Sequence, residues 1–118
     1  MASSNFQTAL QTTNEINITV TGRKSGRSIS LPVWFEVEGE KLYLLPAKGS
    51  ASEWYKNLHK LPVIQLAARG ETFTSNASLL TEETQVGRVI EKFRARYGAG
   101  QVNSLYSNFD VAVEVLLV

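Results

Sequence analysis

The stretch from Ile16 to Pro46, INITVTGRKSGRSISLPVWFEVEGEKLYLLP, decides the fold class. Ile16, Ile18 and Val20 alternate with polar residues, a period of two that puts branched side chains on one face of a strand. After the loop Gly22–Arg27 the alternation resumes with Leu31, Val33, Phe35 and Val37 on one face, and Pro32 and Trp34 on the other. Glu38-Gly39-Glu40 then reads as a tight turn, glycine supplying the positive φ, and Lys41 to Leu45 runs back as a further strand. Three strands joined by connections this short pair antiparallel.

Working outward, Ser50 and Glu53 have the spacing of a capping box, which predicts a helix carrying Trp54, Leu58 and Leu61 on its apolar stripe and ending at Pro62. Residues 63–80 read as a hairpin turning at Arg69-Gly70-Glu71. A second helix follows, capped by Thr81 with Glu82 and Glu83 at its positive end. Its apolar positions Val86, Val89, Ile90, Phe93 and Tyr97 keep helical spacing until Gly98 stops it. The C-terminal segment is a last strand with Val111, Val113, Val115 and Leu117 on one face. Such a strand would be sticky as an edge, so it lies centrally or pairs across a homodimer. Residues 1–14, with only Phe6, Ala9 and Leu10 to bury, read as a tail or short helix, and 15–118 as a single domain. The expected fold is mainly β with two or three helices (α+β), a small antiparallel β-barrel.

Composition narrows the function. Twelve basic against eleven acidic side chains leave a net charge of +1, which argues against general attraction to nucleic acid or to a membrane surface. No apolar run reaches the ~20 residues of a spanning helix, and the first residues lack the basic head and apolar block of a signal peptide. A cytoplasmic protein is expected. With no cysteine and a single histidine, His59, the chain offers neither a thiolate nor a multi-histidine metal site. No serine stands in a nucleophile-elbow setting and no carboxylate dyad stands out, so hard chemistry would come from a cofactor.

The loop TGRKSGR is the candidate binding element. It is not a Walker A sequence, but Gly22 and Gly26 permit a backbone nest of N–H groups, and Arg23, Lys24 and Arg27 add charge. A polar hairpin tip collects the same residue types without binding anything. Lys48-Gly49, just before the helix at Trp54, forms a second basic spot at a helix start, and two such loops can clamp one phosphorylated ligand. Trp34 faces away from the core side of its strand, while Tyr97 and Tyr106 flank a glycine-containing segment suited to a lid.

In order along the chain, TGRKSGR, LPVWF, AKG, WYKNL, LPVIQL and DVAVEV resemble the deazaflavin-dependent nitroreductase and quinone reductase family. The resemblance implies a split β-barrel of the flavin-reductase type that binds coenzyme F-420, a deazaflavin carrying a phosphate and a polyglutamate tail. It further implies that Arg23, Lys24, Ser25, Gly26 and Arg27 hold the tail from one side, and Ala47, Lys48 and Gly49 from the other. Pro32, Val33 and Trp54 would border the ring, and Trp34, Tyr97 and Tyr106 would line the acceptor side, the two tyrosines as candidate proton donors. The implied reaction is hydride transfer to a small electron acceptor, quinone-like or nitroaromatic. Gly26 is followed by Arg27-Ser28-Ile29 where the family often continues Gly-x-Pro-Arg, so Arg27 stands apart from the usual arginine. An FMN-binding split-barrel reductase and a non-enzymatic flavin or deazaflavin carrier are the other readings; no nucleic acid and no stable membrane insertion are expected.

Overall fold

The computed structural model describes residues 3–118. Among these lie seven strands, β1 (Glu15–Thr21), β2 (Ser28–Trp34), β3 (Glu36–Glu38), β4 (Lys41–Leu44), β5 (Val63–Ala68), β6 (Glu71–Leu80) and β7 (Ala112–Leu116). Four α-helices accompany them, α1 (Ser4–Gln11), α2 (Glu53–Lys60), α3 (Glu83–Tyr97) and α4 (Ala99–Leu105), with a 3-10 turn at Gly49–Ala51. The strands form one antiparallel sheet in the order β2-β1-β5-β6-β7-β4-β3.

That order rolls the sheet into a split barrel. The long β6 pairs through Val63-facing Asn76 and its N-terminal half with β5, and through Ala77–Leu80 with β7. At the other extreme β2 and β3 occupy opposite edges of the sheet, yet one residue, Phe35, separates them in the chain. The two edges must therefore meet at Phe35, which is the seam of the barrel. The expected continuous strand through Leu31 to Val37 is thus broken there: Phe35 swings fully inward, and its backbone groups, which have no ladder partner, bond to side chains of α3.

The interior is filled by Ile16, Ile18 and Val20 of β1, Ile64 and Leu66 of β5, Val113 and Val115 of β7, with Phe6 of α1 and Leu58 of α2 closing in. Phe6 meets Phe73 at 5.8 Å between ring centres, so the N-terminal segment is a helix docked on the barrel; its first two residues lie outside the described ones. On the outer face Tyr43 and Ala112 pack against Val86, Val89, Ile90 and Phe93 of α3 and Val102 of α4. Strands β4 and β7 are covered on both faces, the physical reason for their nearly unbroken apolar runs. Strand β7 is central, paired to β4 and β6, so its stickiness is spent within the chain.

The structure corrects several local expectations. Ser50 does not cap α2: it lies in the 3-10 turn and donates its hydroxyl to Asp110, while Ser52 holds the N-cap position and accepts the Lys48 N–H. Glu82, not Thr81, caps α3, its carboxylate accepting from the Thr84 and Gln85 amides. Leu61 falls just past α2 and is 43% exposed. Gly98 does end α3, at φ 90°, but α4 starts directly after it, a helix whose short and weakly apolar sequence gave no periodic signal.

Candidate active site

The basic loop is a compact turn. Gly22 N–H bonds to Arg27 O at 2.8 Å and Gly26 N–H to Gly22 O at 2.9 Å, with Gly26 at φ 72°. Arg23 is its anchor and folds back onto α2: its guanidinium donates to Asn57 Oδ1 at 2.8 Å and to Glu53 Oε1 at 3.0 Å, and its own amide donates to Asn57 Oδ1. Asn57, 3% exposed, is the buried partner on α2, and Lys60 adds a bond to Arg23 O. A buried amide on the apolar stripe of a helix needs such a partner, and its place in WYKNL was the signal available in the sequence.

What remains open on this loop is different from what charge counting proposes. The Gly26, Arg23 and Arg27 amides are engaged within the fold, Arg27's with Ser25 Oγ. The Lys24 and Ser25 amides make no hydrogen bond among the described residues, and the Lys24 and Arg27 side chains are exposed without an ion pair among them. A pair of adjacent free N–H groups flanked by two free cations suits a phosphate or carboxylate.

The Lys48 loop is also braced. Lys48 forms a bridge to Asn108, and Asp110 accepts from both Ser50 N–H, at 2.9 Å, and Ser50 Oγ, at 2.5 Å. These bonds hold the Asp110 carboxyl below the ordinary aspartate value. Gly49 sits buried at φ 57°, and a side chain there would run into the Asp110 carboxylate and Asn108. The Lys48 side chain stays exposed.

A cavity of about 230 Å³ brings six of the expected residues together: Pro32, Val33 and Trp34 of β2, Ala47 after β4, Trp54 of α2 and Tyr106 after α4. Leu31, Leu45 and Leu105 complete its apolar wall, and Glu15 is its one charged side chain, a residue the sequence reading passed over. A larger groove of about 860 Å³ beside α3, lined by Lys41, Arg88 and Lys92 among others, takes in none of the expected residues. The smaller cavity lies below the ~300–1,000 Å³ usual for whole ligands, so it suits the flat, apolar part of a ligand with the rest outside.

The two tyrosines differ. Tyr97 stacks on Trp34, rings 4.2 Å apart and 8° from parallel, and its hydroxyl lies 2.6 Å from Phe35 O and 2.9 Å from Asn14 O while accepting the Phe35 N–H. It staples the barrel seam and lies outside the cavity lining. Tyr106, 8% exposed, lines the cavity and has no hydroxyl partner among the described residues; burial pushes its hydroxyl well above the ordinary tyrosine value, so it stays protonated. His59 is exposed on α2, and no cluster of metal-ligating side chains occurs among the described residues.

A family model described as F-420H(2)-dependent quinone reductase matches residues 2–117. The chain belongs to that family. No curated protein matches it. Among solved structures, the conserved hypothetical protein Rv2991 from Mycobacterium tuberculosis is similar at 19% identity and TM-score 0.76, over 98% of this chain and 80% of that one. An F-420-H2 dependent reductase, FDR-A, is similar at 19% identity and TM-score 0.67, over 86% of this chain and 93% of that one. A chain described as a domain-swapped dimer matches at 19% identity and TM-score 0.68, over 86% of this chain and 79% of that one. At these identities the structures establish the split-barrel fold. Membership of the quinone reductase family rests on the model that spans almost the whole chain.

Proposed function

We propose that this protein is a cytoplasmic reductase that uses reduced coenzyme F-420 to deliver a hydride to a small quinone-like or nitroaromatic acceptor. One observation carries the reading: an apolar cavity and a loop with free cations and free amides are attached to the same helix, α2. Trp54 lines the cavity, and Glu53 and Asn57 beside it hold the basic loop. A ligand with a flat apolar head and an anionic tail fits that pairing, and the donor set suits phosphate and carboxylates.

In this reading the Lys24 and Ser25 amides, with the Lys24 and Arg27 side chains, hold the tail; Lys48 meets it from the braced loop. Arg23 positions the loop and takes no direct part. Pro32, Val33 and Trp54 fix the ring edge, and Trp34 and Tyr106 form the acceptor wall. Bound reduced deazaflavin supplies the hydride; the chain orients the partners and excludes water. Reduction of a quinone also needs protons on oxygen, and Tyr106, the one hydroxyl-bearing side chain on the cavity lining, is the candidate donor; burial keeps it protonated and makes it a weak acid, so it would give its proton only as the quinone oxygen gains charge.

Titration with oxidised F-420, and separately with FMN, followed by tryptophan fluorescence tests the proposal. Both tryptophans of the chain, Trp34 and Trp54, line the cavity, so the signal reports this site alone. Saturable quenching by F-420, weakened about tenfold or more in the Lys24→Ala/Arg27→Ala variant, is expected, each charge-assisted contact contributing ~1–2 kcal/mol. Quenching by neither cofactor would end the reading. Tight F-420 binding without turnover on a panel of quinones and nitroaromatics would make the protein a carrier.

A further inference from the structure

The cavity carries its one charge, Glu15, at one end of strand β2, and the basic loop lies outside the lining at the other end of the same strand. At the Ser28 end β2 emerges from the basic loop with its free Lys24 and Arg27. At the other end Trp34 pairs across the ladder with Glu15, which opens β1. Six residues at a rise of about 3.3 Å separate these ends by about 20 Å. Glu15 is exposed, lines the cavity, and forms no ion pair among the described residues.

The neighbouring charges do not cancel it. Arg96, the nearest cation on α3, is paired with Glu36 at 3.7 Å, lies over the Phe35 ring and donates to Thr13 O and Asn14 Oδ1. Arg96 and Glu36 together contribute little net charge at this end. Every other lining group is apolar or, in Tyr106, neutral.

We infer that Glu15 is a specificity-determining residue that filters acceptors by charge, disfavouring anionic rings and favouring neutral or cationic ones at the Trp34–Tyr106 end. The inference rests on the proposed function for calling that end the acceptor side. The carboxylate also disfavours entry of an anionic tail from this end, so a ligand carrying one is drawn to lie with its tail toward Lys24 and Arg27. Because Glu15 is exposed, the effect is screened and moderate, a few-fold at low salt.

The test uses three probes that share one ring and differ in charge: nitrobenzene, 4-nitrobenzoate and a 4-nitrophenyl-trimethylammonium salt. Their binding to the unliganded protein is read by quenching of Trp34 and Trp54, so the result does not depend on F-420. The wild-type chain should bind the cation tightest and the anion weakest, with about a threefold to tenfold spread at low ionic strength. Glu15→Gln should compress the spread to within about twofold, and Glu15→Asp should keep it. Lys24, Arg27 and Lys48 are the same in all three proteins, so the comparison isolates Glu15. With F-420 bound and reduced, Glu15→Gln should shift the KM of the charged probes in the same sense while changing the kcat of each probe little.

An unchanged spread in Glu15→Gln, or no spread in the wild type, overturns the filter. If F-420 fails to bind while the Glu15-dependent spread persists, the cofactor reading falls, and Glu15 stands as a charge filter on the rings the cavity binds but not on acceptors. If F-420 binds and the spread is absent, the filter alone falls.

Discussion

A tyrosine hydroxyl can hold a fold together or serve a reaction, and its neighbours decide which. Tyr97 ties the Phe35 backbone at the seam to Asn14 O ahead of β1, so its proton is committed to structure. Tyr97→Phe leaves the Phe35 N–H without its acceptor and should cost about 1–3 kcal/mol in a denaturant melt. Tyr106→Phe removes a hydroxyl with no partner and should leave stability within about 0.5 kcal/mol. Its turnover on quinones should fall about tenfold or more if the hydroxyl donates the proton, whereas unchanged turnover would assign protonation to solvent. Gly49 is the third telling position. At φ 57° and against Asp110 it has no room for a methyl group, so Gly49→Ala should destabilise the chain by about 1–3 kcal/mol and displace Lys48. A lowered melting point with weaker F-420 binding is the expected pair of readings.

At the scale of elements, two latches hold the loops around the cavity. The Arg23–Glu53–Asn57 latch ties the basic loop to α2, so Arg23→Ala should free the loop and raise amide exchange at residues 22–27. Lys24→Ala/Arg27→Ala should leave exchange there unchanged while weakening tail binding. The Ser50–Asp110 clasp ties the 3-10 turn to the segment before β7, and it is pH-dependent with a definite sign. The folded-state carboxyl titrates below its ordinary value of 3.8, so the clasp's stabilisation is fully present above that pH. It is lost as pH falls through the lower, folded-state value. Acid titration followed by tryptophan fluorescence should therefore show an earlier acid transition in Ser50→Ala than in the wild type.

Most elements were legible in the sequence because their signals are local. The alternation of β1 and β7, the turns at Gly39 and Gly70, and the stripe of α3 needed no knowledge of the rest of the chain. What was misread depended on distant partners. Ser50 has the spacing of a cap but bonds to Asp110, sixty residues away, and the break at Phe35 follows from closure of the barrel. The helix α4 is held by packing of Val102 and Tyr106 on α3 and carries too few apolar residues to announce itself.

For the whole molecule, the division between anionic and cationic ends predicts how salt acts. Raising ionic strength from about 0.05 to 0.5 M should weaken F-420 binding several-fold through its tail while leaving the thermal midpoint nearly unchanged, because the core that sets stability is apolar. Calorimetric titration and melting at the two salt levels separate these effects. The sequence by itself determined the β-rich class, the hairpins, the main helix and the residue types of the site, since period, turn chemistry and charge act over a few residues. Only the tertiary structure decided which cations are free. It folded Arg23 back onto Asn57, drew Tyr97 to the seam and set Glu15 beside Trp34. Those outcomes depend on which backbone groups are left unpaired when a seven-stranded sheet closes on itself, and no local pattern encodes that.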